Sequence, residues 1–168
     1  MKKVMVIGCP GSGKSTFSRK LHAITRLPLF HLDMMYWNAD RTIVEKPVFR
    51  KRLADALQGA KWIIDGNYGS TMELRLQACD TVFFLDYQPE VCLSGIRERR
   101  GKPRPDMPWT EPANEEDAEF TNFVKSYNSE SRPGVLELLE KYKSREIHIF
   151  RDRIEAREYL DELKRTVL

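Results

Sequence analysis

The chain has 168 residues, of which 41% are hydrophobic and 32% charged, and its formal net charge at pH 7 is +3. This length supports one ordinary domain, and the composition argues against extensive disorder. The weak positive charge suits small anionic ligands but falls short of the concentrated basic stripe of a dedicated nucleic-acid binder.

The cysteines and the N-terminal residues bear on the cellular setting. Cys9, Cys79 and Cys92 are widely spaced, so neither a disulfide framework nor a zinc site is indicated and we expect a reducing, cytoplasmic environment. The apolar run at residues 4–7 ends at a glycine. It is too short for a signal peptide or a membrane span, and we expect neither.

Five short apolar runs predict buried strands, and stretches with helical spacing lie between them. The predicted strands are residues 3–7, 28–32, 61–64, 81–85 and 146–150. Four apolar faces predict helices: Phe17, Leu21 and Ile24; Phe49, Leu53, Ala56 and Leu57; Val135, Leu138, Leu139 and Tyr142; Ala156, Tyr159, Leu160 and Leu163. Strands alternating with helices predict an α/β fold with a five-stranded parallel sheet covered on both faces.

Residues 101–118 contain four prolines and little periodicity, which predicts an exposed loop or lid. Charge is sorted around this segment, with five basic residues against one acid over residues 97–104, and five acids without a base over residues 111–119. The segment is therefore either a lid that acts on a ligand or a solvated turn between two helices.

The strongest motif is GCPGSGKS at residues 8–15, which matches G-x-x-x-x-G-K-[ST] between a predicted strand and a predicted helix. Its glycines let successive backbone N–H groups point inward at a helix N-terminus, where they form an anion-binding nest. The expected cradle residues are Gly8, Pro10, Gly11, Ser12 and Gly13.

Three residues that follow the glycines have expected roles of their own. Lys14 is placed to reach the β- and γ-phosphates of a nucleotide, and the hydroxyl of Ser15 helps to hold Mg²⁺. Thr16 is either a ligand of the α-phosphate or an ordinary residue of the first helical turn.

Asp65 ends the third predicted strand, at the side of the sheet where ligands bind in α/β proteins. A carboxylate there orients Mg²⁺, usually through its water shell. The alternative is an Asp-Gly turn that only closes the strand.

These motifs resemble the P-loop nucleoside and nucleotide kinase superfamily, which includes adenylate, shikimate and gluconate kinases. The segments HLDMMYW at 31–37, IIDGNY at 63–68, RPDM at 104–107 and SRPGVLELLEKY at 131–142 resemble, over nearly the whole length, the small bacterial group labelled DNA topology modulation proteins. That label implies an effect on DNA, whereas the motifs imply phosphoryl transfer, and we give the chemistry precedence.

The superfamily resemblance implies a strand order of 2-3-1-4-5 in a single domain over residues 1–168, with an acceptor-binding region at about 33–60 and a lid at about 98–118. Lid arginines of these kinases close over the phosphates and neutralise the charge on the transferring group. Arg97, Arg100 and Arg104 are the candidates here, with Arg100 and Arg104 assigned a catalytic role.

Two further regions follow from the same resemblance. The donor base is expected near residues 151–154, and the absence of an NKxD-type guanine motif favours ATP. Arg132, at the predicted start of a helix, either faces the site or is a simple helix-end charge.

Asp33 follows the second predicted strand, where hydroxyl-phosphorylating relatives of this superfamily carry an acid. It is placed to accept the proton of an acceptor hydroxyl or to bind Mg²⁺, or else it is a helix N-cap or turn residue. A nucleotide acceptor calls for arginines instead. The segment at residues 65–69 lacks the arginine of the adenylate-kinase pattern, although Arg41 or Arg75 is available as a substitute.

Aromatic residues surround this position. Tyr36, Trp37 and Tyr68 either line a slot for a flat ring or pack under the acceptor loop. We assign His31, at the end of the second strand, a structural role.

Two hypotheses result. The first is an ATP- and Mg²⁺-dependent kinase that acts on a small nucleoside-like, nucleotide or other hydroxylated acceptor. The second is an ATP-binding regulatory protein that influences DNA topology or gene expression without productive transfer. The lack of a helix-turn-helix signal or a long basic stripe disfavours DNA as a partner.

Overall fold

The computed structural model describes residues 1–167 and contains a five-stranded parallel sheet. Its strands are β1 (Lys3–Gly8), β2 (Leu29–His31), β3 (Trp62–Asp65), β4 (Thr81–Leu85) and β5 (Glu146–Phe150). The order is β2-β3-β1-β4-β5, which confirms the predicted α/β class and strand order. The predicted strand ends are within two residues of those observed.

Eight helices cover the sheet within the described part of the chain. They are α1 (Lys14–Thr25), α2 (Leu32–Tyr36), α3 (Lys46–Leu57), α4 (Gly69–Ala78), α5 (Pro89–Arg99), α6 (Ala118–Glu130), α7 (Arg132–Lys141) and α8 (Arg153–Val167). None of them is long and apolar enough to cross a membrane.

β1 lies at the centre of the sheet, and residues 4–7 have no solvent exposure. Alternate side chains of this strand enter two cores. Val4 and Val6 pack in the core that α1, α5, α6 and α8 cover, whereas Met5 and Ile7 pack in the core under α3, α4 and α7. The continuous apolar run in β1 is therefore explained by burial on both faces.

Four helices lack a counterpart in the sequence prediction, namely α2, α4, α5 and α6. The inner face of α5 includes Cys92, Gly95 and Ile96, and that of α4 includes a fully buried arginine, Arg75. Small and charged residues at inward positions weaken the hydrophobic period on which the prediction depends.

The segment 100–117 forms neither a helix nor a strand. Most of its residues are exposed, as the prediction of an exposed loop requires, but parts of it are well covered: Asp106 is 8% exposed, and the side chain of Arg104 is 13% exposed. The backbone N–H of Gly101 donates to the carbonyl of Glu111 at 2.8 Å, which closes the segment on itself. Asp117 then caps α6 by accepting from the N–H of Phe120 at 3.0 Å.

Candidate active site

A cleft of about 1130 Å³ opens at the carboxyl ends of β1 and β3. Its floor is the loop at residues 10–16, and its walls come from the turn after β3, from α2, from the segment 100–117 and from the start of α8. Within residues 1–167, every residue that we assigned to a site lines this cleft except Gly8, which is the last residue of β1.

The loop between β1 and α1 touches α5 through backbone atoms. Gly11 has φ 85°, and a Cβ there would lie 2.0 Å from the carbonyl oxygen of Cys92. A Cβ on Gly95 would lie 2.1 Å from the carbonyl oxygen of Gly11. Both positions therefore require glycine, and α5 holds the loop in its curved form.

The groups at the start of α1 fit a phosphate. The first helical bond runs from the N–H of Phe17 to the carbonyl of Gly13, so the N–H groups of residues 14–16 have no partner within the helix. The hydroxyls of Ser12 and Ser15 are buried, and neither has a hydrogen-bond partner among the described residues. Unpaired buried donors beside a helix N-terminus are what an anionic ligand would satisfy.

Lys14 bends back over this loop. Its Nζ donates to the carbonyl oxygens of Gly8 at 2.9 Å and Cys9 at 3.2 Å. Burial lowers the pKa of Lys14, while the nearby carboxylates of Asp33 and Asp65 act in the opposite direction. Nζ of Lys14 is thus held by two backbone carbonyls of the segment that leads from β1 to α1.

Asp65 is 5% exposed and pairs with His31 across the β2–β3 register. Nδ1 of His31 lies 2.7 Å from Oδ2 of Asp65. Burial disfavours the imidazolium, but the hydrogen bond and the charge of Asp65 together raise the pKa of His31 above its ordinary value. His31, expected to be structural, therefore orients the carboxylate that we assigned to the metal. His31 and Asp65 lie at the ends of two neighbouring strands. This shared position is the signal in the sequence that could have predicted their contact.

Asp33 lies in the first turn of α2, and its carboxylate makes no capping bond there. Instead, the hydroxyl of Tyr68 donates to Oδ1 of Asp33 at 2.5 Å. Burial raises the pKa of Asp33, against the lowering effects of Tyr68 and Lys14. The carboxylate is therefore a cleft residue rather than a helix cap.

Arg75 anchors the turn that carries Tyr68. It is fully buried and donates to the carbonyl oxygens of Gly66 at 2.8 Å, of Tyr68 at 3.3 Å and of Asn67. Burial lowers the pKa of Arg75 to about 9. Since Nη1 and Nη2 are bound to these carbonyls beneath the turn and Arg75 is not among the described residues that line the cleft, it does not serve as the acceptor-gripping arginine that we considered.

The same turn contacts the end of β1 and the start of α2 through its side chains. Oδ1 of Asn67 accepts from the N–H of Gly8 at 3.1 Å, while Tyr68, with φ 36°, turns toward Asp33. The turn at residues 66–68 thus links the end of β1 with α2, and sequence reasoning identified only Tyr68 of this turn, as a candidate aromatic residue.

Acidic residues of the segment 100–117 pair with Arg99 and Arg104. Arg99 contacts Glu111 at 3.1 Å, and Arg104 contacts Glu111 at 3.6 Å and Asp106 at 3.7 Å. Arg100 also lines the cleft, whereas Arg97 is exposed and is not among its described lining residues. Arg99 was missed, although it continues the buried face of Cys92 and Ile96 at helical spacing.

Arg132 is bound to a carboxylate that is not among the described residues lining the cleft. It forms a bidentate pair with the buried Asp86 at 2.8 and 2.9 Å, and Arg151 contacts the same carboxylate at 2.7 Å. Neither arginine lines the cleft in the described part of the chain, where Arg153 and Arg157 do. The expected donor-base region therefore contributes Arg153 to the cleft.

Aromatic side chains join the residues after α2 to the segment 100–117. The rings of Trp37 and Trp109 meet edge to face with centroids 5.5 Å apart, and the guanidinium of Arg41 lies 4.8 Å from the ring centroid of Trp109. Arg41 also approaches Glu115 at 4.0 Å. Residues 37–41 and 109–115 therefore close one end of the cleft together.

No group of three or more histidine, cysteine, aspartate or glutamate side chains that could hold a metal occurs in residues 1–167. Magnesium does not need such a cage, because it is commonly bound by one or two protein oxygens, substrate phosphates and water. The unpaired hydroxyl of Ser15 and the carboxylate of Asp65 fit that ligand chemistry.

The sheet order, the glycine-rich loop and the helices define a P-loop kinase fold. Among solved structures, the chain is similar to shikimate kinase from Bacteroides thetaiotaomicron, with a TM-score of 0.57 and 18% sequence identity. The alignment covers 98% of this chain and 97% of that chain. No protein-family model matches the sequence, and no curated protein matches it.

Proposed function

We propose that this protein is an ATP- and Mg²⁺-dependent kinase that transfers the γ-phosphoryl group to a hydroxyl of a small acceptor. The observation that carries the proposal is the meeting of Asp33 and Lys14 in one cleft, close enough that each affects the pKa of the other. A proton acceptor beside a phosphate cradle is the arrangement that transfer to a hydroxyl requires.

The donor phosphates are assigned to the cradle. The loop that contains Gly8, Pro10, Gly11, Ser12 and Gly13 surrounds them, and the N–H groups of Gly11, Gly13 and the first turn of α1 bind them, since those of Gly8 and Ser12 already donate to Asn67 and Cys9. Lys14 contacts the β- and γ-phosphates, and Thr16 contacts the α-phosphate. The hydroxyl of Thr16 already accepts from Arg19 at 3.3 Å, in an exposed position. Ser15 and Asp65 would hold Mg²⁺, which supplies neutralisation of the phosphate charge.

Asp33 is assigned as the general base. The acceptor oxygen forms a bond to the γ-phosphorus, the bond from that phosphorus to the β–γ bridging oxygen breaks, and the hydroxyl proton passes to Asp33. ADP leaves with the electron pair of the broken bond. Arg100 and Arg104 neutralise the transferring group when the lid, at about residues 98–118, closes on the acceptor region at about 33–60.

Several contacts support a closing lid. Arg104 is paired with Asp106 and Glu111, carboxylates of its own segment, and its Nη2 lacks a hydrogen bond among the described residues. A nucleotide phosphate would compete with Glu111 for this guanidinium. We infer that ATP binding breaks the ion pairs of Arg104 with Asp106 and Glu111 and replaces them with contacts to phosphate. The lid and the rest of the site belong to a single domain in this proposal.

The test is release of ADP by the purified protein with ATP, Mg²⁺ and a panel of nucleosides, nucleotides and small sugar acids. Asp33→Asn should lose at least tenfold in transfer while retaining ATP binding, because it removes the proton acceptor and keeps the size. Asp55→Asn, an exposed carboxyl on α3, is the matched control and should retain activity. Undiminished transfer by Asp33→Asn would refute the assigned base.

The likeness to the DNA topology modulation group and a cytoplasmic location rest on the sequence alone. A regulatory role on DNA predicts duplex binding that weakens steeply as salt increases. Duplex binding without ADP release under any acceptor would favour that role over the kinase.

A further inference from the structure

The loop between β1 and α1 and the middle of α5 each contain a cysteine. Cys9 follows the last residue of β1, Cys92 lies in α5, and both are buried in the same core. We propose that these two thiols form a modification site, at which a peroxide produces a disulfide that weakens nucleotide binding in the cleft. The second half of this inference rests on the proposed function, because it takes the loop at residues 8–15 to bind a nucleotide.

The backbones that carry the two cysteines are in direct contact. A Cβ on Gly11 would lie 2.0 Å from the carbonyl oxygen of Cys92, and a Cβ on Gly95 would lie 2.1 Å from the carbonyl oxygen of Gly11. Cys9 is two residues before Gly11, and its carbonyl accepts from the N–H of Ser12 at 3.0 Å, which closes a tight turn. The loop therefore presents Cys9 to the same part of α5 that contains Cys92.

The surroundings of the pair favour a thiolate on Cys92. A hydrogen bond between the two thiols lowers the pKa of Cys92 and raises that of Cys9, while burial raises both. The charge of Lys14 lowers the pKa of both thiols, and that of Arg153 lowers the pKa of Cys92, which Asp86 opposes. Since the thiolate is the nucleophile in thiol oxidation, Cys92 is the attacking cysteine and Cys9 the resolving one.

Tyr127 of α6 lies close to the same pair. Its hydroxyl is buried and has no hydrogen-bond partner among the described residues. Burial raises the pKa of Tyr127, and the charges of Cys9, Asp86 and Cys92 raise it further. An unpaired buried donor beside an ionising thiol is available to stabilise the thiolate or the oxygen of a sulfenic acid.

Cys79 is a comparison within the same chain. It is as buried as Cys9, but its thiol donates to the carbonyl of Leu76 at 3.5 Å. Burial raises the pKa of Cys79 to about 11. A protonated thiol is a poor nucleophile, so we expect Cys79 to resist peroxide.

The oxidation consumes one peroxide molecule. The Cys92 thiolate attacks one oxygen of hydrogen peroxide, the O–O bond breaks, and hydroxide leaves and takes up the proton that Cys92 released. The sulfur of Cys9 then attacks the sulfur of the Cys92 sulfenic acid, the S–S bond forms, and the S–O bond breaks. The second oxygen leaves as water with the proton of Cys9. Two thiols are thus oxidised, and both peroxide oxygens are reduced to water.

The disulfide would disturb the phosphate-binding loop. A covalent bond holds two sulfur atoms much closer than a hydrogen bond does, and the contact of Gly11 with Cys92 prevents α5 from approaching as a unit. Cys9 must therefore move, and its carbonyl holds Nζ of Lys14 at 3.2 Å and the N–H of Ser12. By linkage, a bound nucleotide opposes the disulfide to the same degree that the disulfide weakens the nucleotide.

The experiment uses Cys79→Ser, in which Cys9 and Cys92 are the only cysteines, beside the unaltered protein. Each is reduced, treated with hydrogen peroxide at neutral pH and denatured, and its free thiols and intact mass are measured. We expect each to lose two thiols and two hydrogen atoms per chain as a monomer, and to regain them with dithiothreitol. Uptake of oxygen without a disulfide, or no loss of thiols, would overturn the inference.

Calorimetry with Mg²⁺ and a non-hydrolysable ATP analogue then compares the reduced and oxidised forms of Cys79→Ser. The oxidised form should bind the analogue at least tenfold more weakly. The double variant Cys79→Ser/Cys92→Ser keeps only the protonated Cys9 and should bind equally before and after peroxide. Equal affinities of the two forms of Cys79→Ser, or the same loss in the double variant, would overturn the inference.

Failure of this inference is distinguishable from failure of the proposed function. If the reduced protein binds no ATP analogue, the proposed function fails together with the effect on binding, while the thiol count still decides whether the disulfide forms. If the reduced protein binds the analogue and peroxide leaves both thiols free, the kinase proposal stands and the modification site does not.

Discussion

The hydroxyl of Tyr68 donates a 2.5 Å hydrogen bond to Oδ1 of Asp33, although 35 positions separate them in the chain. The contact joins the turn after β3 to the first turn of α2, at the ends of two neighbouring strands. It places a hydrogen-bond donor on the carboxylate that we propose as general base, and so makes the acidity of Asp33 depend on Tyr68.

Tyr68→Phe should move the acid limb of the pH–rate profile to higher pH. Burial raises the pKa of Asp33, and the Tyr68 hydroxyl acts against burial by stabilising the carboxylate. The variant therefore raises that pKa further. Because the carboxylate is the active form, activity is lost as pH falls through the pKa, and the variant loses it sooner. The measurement is kcat/KM against pH, and an unmoved limb would contradict this role of Tyr68.

Arg75→Met should lower the free energy of unfolding by roughly 2–4 kcal/mol, because it leaves the buried carbonyls of the turn at residues 66–68 without donors. Arg145→Met is the matched control, since Arg145 also donates to two carbonyls but is partly exposed. It should cost at most about 1 kcal/mol. Urea denaturation measures the free energy of unfolding of both variants. Equal losses of stability in the two would refute a special role for the buried Arg75.

Gly95→Ala should weaken both folding and nucleotide binding. Its Cβ would meet the carbonyl oxygen of Gly11 at 2.1 Å, so α5 and the phosphate loop must separate, at about 1–3 kcal/mol. Gly134→Ala, in α7, meets nothing within 4 Å and should stabilise the protein by up to about 1 kcal/mol. Thermal unfolding with and without ATP measures the stability of each variant and the rise in its unfolding temperature when ATP binds. An unaffected ATP-dependent shift in Gly95→Ala would show that the contact does not shape the cradle.

Lys14→Ala should weaken ATP binding by roughly tenfold to a hundredfold, the equivalent of about 1.5–3 kcal/mol for a charge-assisted hydrogen bond. Lys51→Ala removes an exposed lysine of α3 that pairs with Asp55, and should bind ATP like the unaltered protein. Isothermal calorimetry with Mg²⁺ and ATP measures both. Equal affinities in the two variants would remove the basis for assigning Lys14 to the donor phosphates.

The strands and the glycine-rich loop at residues 8–15 could be predicted, because local residue patterns encode each of them. Residues 4–7 are apolar throughout since both faces of β1 are buried, and the glycines at positions 11 and 13 supply the positive φ values that the loop adopts. The strand order followed from resemblance, and the sheet confirms it.

Which side chains contact one another across the molecule depends on how the helices and strands pack. His31 and Asp65 are 34 positions apart, and they meet because β2 and β3 are adjacent and in register. Likewise, the fit of Gly95 against Gly11 depends on where α5 crosses the loop. Periodicity and turn chemistry report the conformation of neighbours in the chain, whereas these contacts depend on the packing of distant elements, which no local pattern encodes.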